Sequence, residues 1–105
     1  MRILIAEDDP ISSKLLETTL TKWNFQVDAV QNGRQALKVL CGPQPPQMAI
    51  LDWMMPGMDG PSVCEAIRAD PALKSSQVVL MTAHDRPEQI AEGLSRGADD
   101  FLSKA

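Results

Sequence analysis

The sequence has only two cysteines, Cys41 and Cys64, and one histidine, His84. Neither cysteine stands at a metal-binding or redox spacing, which excludes a zinc module and argues against a disulfide scaffold; reduced thiols in a cytoplasmic protein are the expectation. No apolar run approaches the roughly 20 residues of a membrane span. The opening Ile3-Leu4-Ile5-Ala6 is cut off by Glu7-Asp8-Asp9, too early for a signal peptide. An excess of positive charge is also missing. With 10 basic and 14 acidic residues the net charge is −4, and direct nucleic-acid binding is not expected. The 105 residues suit one domain, and 44% hydrophobic with 23% charged residues excludes disorder. A chain of this length buries roughly 60–70% of its unfolded surface, enough for a core.

Two hydrophobic periods alternate along the chain. Ile3–Ala6, Met48-Ala49-Ile50-Leu51 and Val78-Val79-Leu80-Met81 are short continuous apolar runs, as in strands buried on both faces. Phe25–Val30 nearly alternates and Asp100–Ser103 is mixed, as on edge strands. Helical spacing lies between them. Ile11, Leu15, Leu16, Thr19, Leu20 and Trp23 form the first repeat, with Asp9 as N-cap and Pro10 at the first helical position. Ala36, Leu37 and Leu40 follow Asn32-Gly33, and Val63, Ala66 and Ile67 follow Gly60-Pro61. Ile90, Ala91 and Leu94 precede Gly97, a helix-ending residue, and Asp85 with Glu88 resembles a capping box. Pro43, Pro45 and Pro46 mark a loop.

The order is βαβαβαβαβ, which predicts an α/β fold: a doubly wound, five-stranded parallel sheet with helices on both faces. Apolar strands belong in the centre and mixed ones at the edges, and right-handed crossovers then give the order 2-1-3-4-5. Ligands in such sheets bind beyond the carboxyl ends of the strands where the winding reverses, here between the first and third. Glu7-Asp8-Asp9 and Asp52 stand at those ends.

Asp9 is accounted for as a helix cap. Glu7, Asp8 and Asp52 converge on the crevice, where two carboxylates 4 Å apart repel by about 4 kcal/mol at an effective dielectric of 20. Protonation or a cation relieves that repulsion, and an all-oxygen set suits magnesium. Thr82 and Lys104 follow the fourth and fifth strands and face the same crevice. An aspartate nucleophile, a divalent cation, a lysine and a hydroxyl form a phosphoryl-transfer set.

The sequence at this point resembles the receiver domain of two-component response regulators, with its flavodoxin-like, chemotaxis-regulator-like fold. The motifs are Ile3–Pro10, Asn32–Leu37, Ile50–Gly60, Val79–Ala83 and Gly97–Lys104, spread over the whole chain. The resemblance implies that Asp52 accepts a phosphoryl group from a phosphohistidine of a sensor histidine kinase or phosphotransfer protein. It implies that Asp8 binds Mg2+ directly, Glu7 through water, and Met54 through its backbone carbonyl, with Asp52 completing the set. Lys104 would contact the phosphoryl group, or Asp52 before phosphorylation, and Thr82 would bond a phosphoryl oxygen. Phe101 would change rotamer as Thr82 moves, carrying the signal to an output domain or partner. Such a domain assists its own phosphorylation and dephosphorylation in the cytoplasm and turns over no external substrate.

Several positions depart from the family. Glu7 stands where Asp is commoner, and its longer arm still reaches a metal or a metal-bound water. Phe101 replaces Tyr and loses the hydroxyl anchor. Trp53 is read as a cover on the site, Met55 and Met58 as loop packing, and His84 as a loop residue able to steer water. The family's Pro and fifth helix do not follow Lys104. Residues 1–105 are therefore expected to be a receiver domain truncated before its last helix, less stable than a longer form or self-associating through the open flank. Three other functions compete. An aspartyl phosphatase commonly carries a second Asp where Met54 stands. A flavin-binding domain needs a phosphate-receiving first loop, which Glu7-Asp8-Asp9 would repel. A degenerate receiver would have lost the acceptor, metal or lysine residues, and all are present.

Overall fold

The computed structural model describes residues 1–73, 75–83 and 86–103. Its five strands are β1 (Arg2–Ala6), β2 (Gln26–Val30), β3 (Met48–Asp52), β4 (Gln77–Thr82) and β5 (Asp100–Ser103). Four helices lie between them: α1 (Pro10–Lys22), α2 (Gly33–Leu40), α3 (Gly60–Ala69) and α4 (Pro87–Ser95). A 3-10 turn, Pro71–Leu73, precedes β4. All four strand pairings are parallel and the order is β2-β1-β3-β4-β5, as the hydrophobic pattern predicts.

Local chemistry sets the helix starts. The Asp9 carboxylate accepts from the Ile11 N–H and the Ser12 hydroxyl, and Pro10 opens α1. Asn32 caps α2 through the Gln35 N–H, and Asp59 caps α3 through the Ser62 N–H. Each such cap contributes about 1 kcal/mol. α4 begins at Pro87 with Arg86 at its N-cap and no side-chain cap bond, and the Asp85 of the expected capping box lies outside the described residues.

The sheet carries two unequal cores. On one face α2, α3 and α4 enclose Leu4, Ala36, Leu40, Leu51, Val63, Ile67, Val78 and Leu80. On the other, Ile3, Ile5, Ile50 and Met81 are joined by Leu20, the one buried residue of α1. Helical spacing foretold the inner faces of α2 and α3, whereas two helices differ. On α1, Ile11, Leu15 and Trp23 are exposed and the inward side is Leu16 and Leu20. On α4, Ala91 and Leu94 are exposed and Gly93 is buried.

Candidate functional site

Strand length places the carboxylates. β3 runs through Asp52 and β4 through Thr82, so both are the last residues of their strands rather than the first of the following loops. Glu7 and Asp8 follow β1 directly. The parallel register aligns Ala6 with Leu51 and Asp52 with Met81, which brings these strand ends to one edge of the sheet. Glu7 and Asp52 are buried and Asp8 is exposed. Each offers a carboxylate oxygen, and the three oxygens lie within 4.8 Å of one another. The Glu7 backbone N–H donates to the Val30 carbonyl at 3.1 Å, and its Oε1 accepts from the Asp9 N–H at 3.2 Å. The side chain is thus turned back over the start of α1.

This donor set passes the test for a hard divalent cation. It is oxygen-only, it gathers three acidic groups in a space where their charges repel strongly, and its exposed member leaves room for water ligands.

Thr82 is buried one residue beyond the register partner of Asp52, and its own partner is Ser103. Phe101 pairs with Leu80 and is half-buried against the larger core. Lys104 and His84 lie outside the described residues. Met54 points its side chain outward at 70% exposure, while Met55 is buried and Met58 half-buried, as loop packing requires. The Trp53 ring is half-buried, packing on the larger core and against Gly93 of α4. A groove of about 550 Å³ between β2 and α2 is lined by no acidic residue and is separate from this chemistry.

Two glycines that sequence reasoning passed over shape the site. Gly60 starts α3, where a Cβ would fall 2.6 Å from the Asp52 carbonyl oxygen and 2.8 Å from Leu80 Cδ2. Its N–H donates to the Trp53 carbonyl at 3.0 Å. The loop from Trp53 to Asp59 therefore closes tightly on the end of β3. At Gly93 a Cβ would meet Leu80 Cδ1 at 2.8 Å and Trp53 Cζ3 at 3.1 Å. Gly60 was visible only as a helix start, and a glycine inside a helical pattern gives no sign of what faces it.

A family model described as the response regulator receiver domain matches residues 3–105, and the chain belongs to that family. It is 40% identical over 103 residues to the response regulator PleD of Caulobacter vibrioides, covering 98% of this chain and 22% of PleD. The chain spans less than half the length of the curated relatives it matches. The receiver domain of a signal transduction histidine kinase from Syntrophus aciditrophicus superimposes with a TM-score of 0.88 at 36% identity, covering 98% of this chain and 77% of that one. A second solved structure is the receiver domain of a Pseudomonas aeruginosa PAO1 sensor histidine kinase with a magnesium ion coordinated in its active-site cleft. It gives a TM-score of 0.88 at 27% identity, covering 98% of this chain and 84% of that one. This is a receiver domain of two-component signalling. Among the described residues no helix is long and apolar enough to cross a membrane.

Proposed function

We propose that this domain is a phosphorylation-controlled switch whose acceptor is Asp52. The supporting observation is the convergence of Glu7, Asp8 and Asp52 oxygens within 4.8 Å at the carboxyl ends of neighbouring central strands. The donor is a phosphohistidine of a sensor histidine kinase or phosphotransfer protein. An Asp52 carboxylate oxygen forms the new O–P bond as the donor's N–P bond breaks, and the departing imidazole takes a proton from water.

Asp8, Asp52 and the Met54 carbonyl would hold Mg2+ directly, and Glu7 through water; the magnesium of the Pseudomonas receiver supports this reading. When bound, the ion supplies positive charge beside the phosphoryl oxygens. Asp8 and Glu7 hold that charge in place. Thr82 donates its hydroxyl to a phosphoryl oxygen, and Lys104 contacts the same group. As Thr82 turns toward it, Phe101 follows and alters the surface near β5, which an output domain reads. Residues 1–105 act as one receiver domain in the cytoplasm, with no external substrate and no direct contact to nucleic acid or membrane.

The test is intact mass after incubation with acetyl phosphate. Wild-type protein should gain one phosphoryl group with magnesium and none in chelator. Asp52→Asn gaining phosphate at the wild-type rate would refute the assignment.

A further inference from the structure

β2 is an edge strand, paired with β1 alone. Two bonds fix which way its backbone points. The Gln26 N–H donates to the Met1 carbonyl at 3.0 Å, and the Val30 carbonyl accepts from the Glu7 N–H at 3.1 Å. Successive residues of a strand turn their backbone groups to opposite edges, so Gln26, Asp28 and Val30 serve the ladder with β1. Val27 and Ala29 turn their N–H and C=O groups outward, and among the described residues none of these groups has a partner. The edge is closed at both ends. The Phe25 N–H is given to the Leu20 carbonyl at 3.2 Å, and the Gln31 N–H to the Gln35 side chain at 2.8 Å.

This edge is neither covered nor blocked by the described residues. α1 packs on β2 from one face, whereas on the other α2 packs on β1 and α3 and stands back from the edge. The groove this leaves is lined by Ala29, Val30, Gln31, Gln35, Lys38 and Val39, with room for the side chains of a further strand. Edge strands are ordinarily protected by proline, lysine, a bulge or an unmatched charge. β2 has no proline and no lysine, its register with β1 is unbroken, and its one charge, Asp28, is paired with Arg2.

We propose that β2 pairs with the β2 of a second copy of this chain, antiparallel about a two-fold axis at Asp28, joining the two sheets into one. The open groups dictate the register. Residues of an antiparallel pair that face each other with outward groups exchange two hydrogen bonds. Val27 opposite Ala29 of the second copy, and Ala29 opposite its Val27, satisfy every open group on both copies. A shift of two residues either way sets one of them against Phe25 or Gln31, whose N–H groups are already engaged. The two Asp28 carboxylates meet at the axis, where bare like charges would repel. Each arrives paired with its own Arg2, and Lys38, which lines both this groove and the neighbouring one with Arg2, joins no ion pair among the described residues and adds a cation. The contact is isologous, as a closed dimer requires. A strand edge is a small interface, so the association is weak and depends on concentration. It is independent of the acceptor role of Asp52.

Sedimentation from micromolar to millimolar protein is expected to show a monomer–dimer equilibrium. Ala29→Pro removes an outward N–H and spares the ladder with β1, a position where edge strands accept proline. It should weaken dimerisation about tenfold or more, since the symmetric contact loses the bond twice. Ala29→Lys, at an exposed position, should do the same and decides the matter if the proline variant does not fold. Position 28 alone meets itself, with the opposed Cα atoms of such a pair about 4.5 Å apart and within disulfide reach. In a Cys41→Ser background, Asp28→Cys should oxidise to a disulfide dimer. Gln26→Cys, whose copies stand about 14 Å apart along the strands, should not. A chain monomeric at every concentration would overturn the proposal, including one whose edge takes some other strand. So would a dimer that a folded Ala29 variant leaves unweakened, which places self-association on another face, or cross-linking of Gln26→Cys as fast as Asp28→Cys.

Discussion

The carbonyl oxygen of Asp52 occupies the place where a side chain on Gly60 would lie, 2.6 Å from a Cβ built there. The end of β3 and the start of α3 approach each other backbone to backbone, with no flexible side-chain end that can swing aside. Gly60→Ala is therefore expected to destabilise the fold by about 1–3 kcal/mol, the ordinary cost of overpacking. This outweighs the roughly 1 kcal/mol that alanine gains over glycine in a helix. Urea denaturation checks it, and a variant as stable as wild type would show that the loop yields.

Arg68 is the second structural tie. Its Nε donates to the Gly97 carbonyl at 2.8 Å, one Nη to the Ser76 carbonyl at 2.9 Å, and the other to Asp99 Oδ2 at 2.6 Å. Asp99 Oδ2 in turn accepts from the Val78 N–H at 2.7 Å. One guanidinium joins α3, the entry to β4 and the α4–β5 turn. Gly97 permits the approach with φ of +118°, in the left-handed region that disfavours side chains. Arg68→Ala should cost about 2–3 kcal/mol in denaturant melts, since it leaves the Asp99 carboxylate without its charged partner. Arg68→Lys should recover only part, because a point charge cannot reach three acceptors at once.

Cys64 is buried and Cys41 exposed. Burial pushes the Cys64 thiol from its ordinary 9.0 up to about 12, against the smaller opposing pull of Arg68. A thiol reagent at pH 8 is expected to modify Cys41 in the folded protein and Cys64 only after unfolding. The unfolded chain loses this proton first. The stability linked to the thiol is thus complete below pH 9 and falls as pH rises from 9 toward 12. The melting temperature of wild type should decline over that window more than that of Cys64→Ala. Parallel declines would contradict it.

Charge relief among Glu7, Asp8 and Asp52 implies that a divalent cation binds before any phosphoryl group arrives. Magnesium should change Trp53 emission, Trp23 giving a constant background, and calorimetry should detect the same event. Asp8→Ala should abolish both signals. A flat wild-type titration by both methods would contradict the metal site.

Strand order and the three carboxylates were legible because continuous apolar runs, turn residues and strand-end acids are all local signals. Asp52 and Thr82 fall inside their strands since pairing with Met81 and Ser103 carries the ladder one residue past the apolar run. The inward faces of α1 and α4 were not legible. Ile11, Leu15 and Leu94 fit the helical period yet face outward. Spacing alone cannot rank adjacent stripes when a helix buries as little as Leu20 or Gly93. The Trp53 ring on Gly93 joins residues from separate βα units, and such tertiary contacts leave no periodic trace.

Chemical mapping of the acceptor tests the central claim most directly. Borohydride reduction converts an aspartyl phosphate to homoserine, so protein treated with acetyl phosphate and magnesium, then reduced and digested, reports the site by peptide mass. Conversion at position 52 alone is the expected result. Conversion at Asp8 or another carboxylate, or none in protein that has gained a phosphoryl group, would contradict the assignment of Asp52.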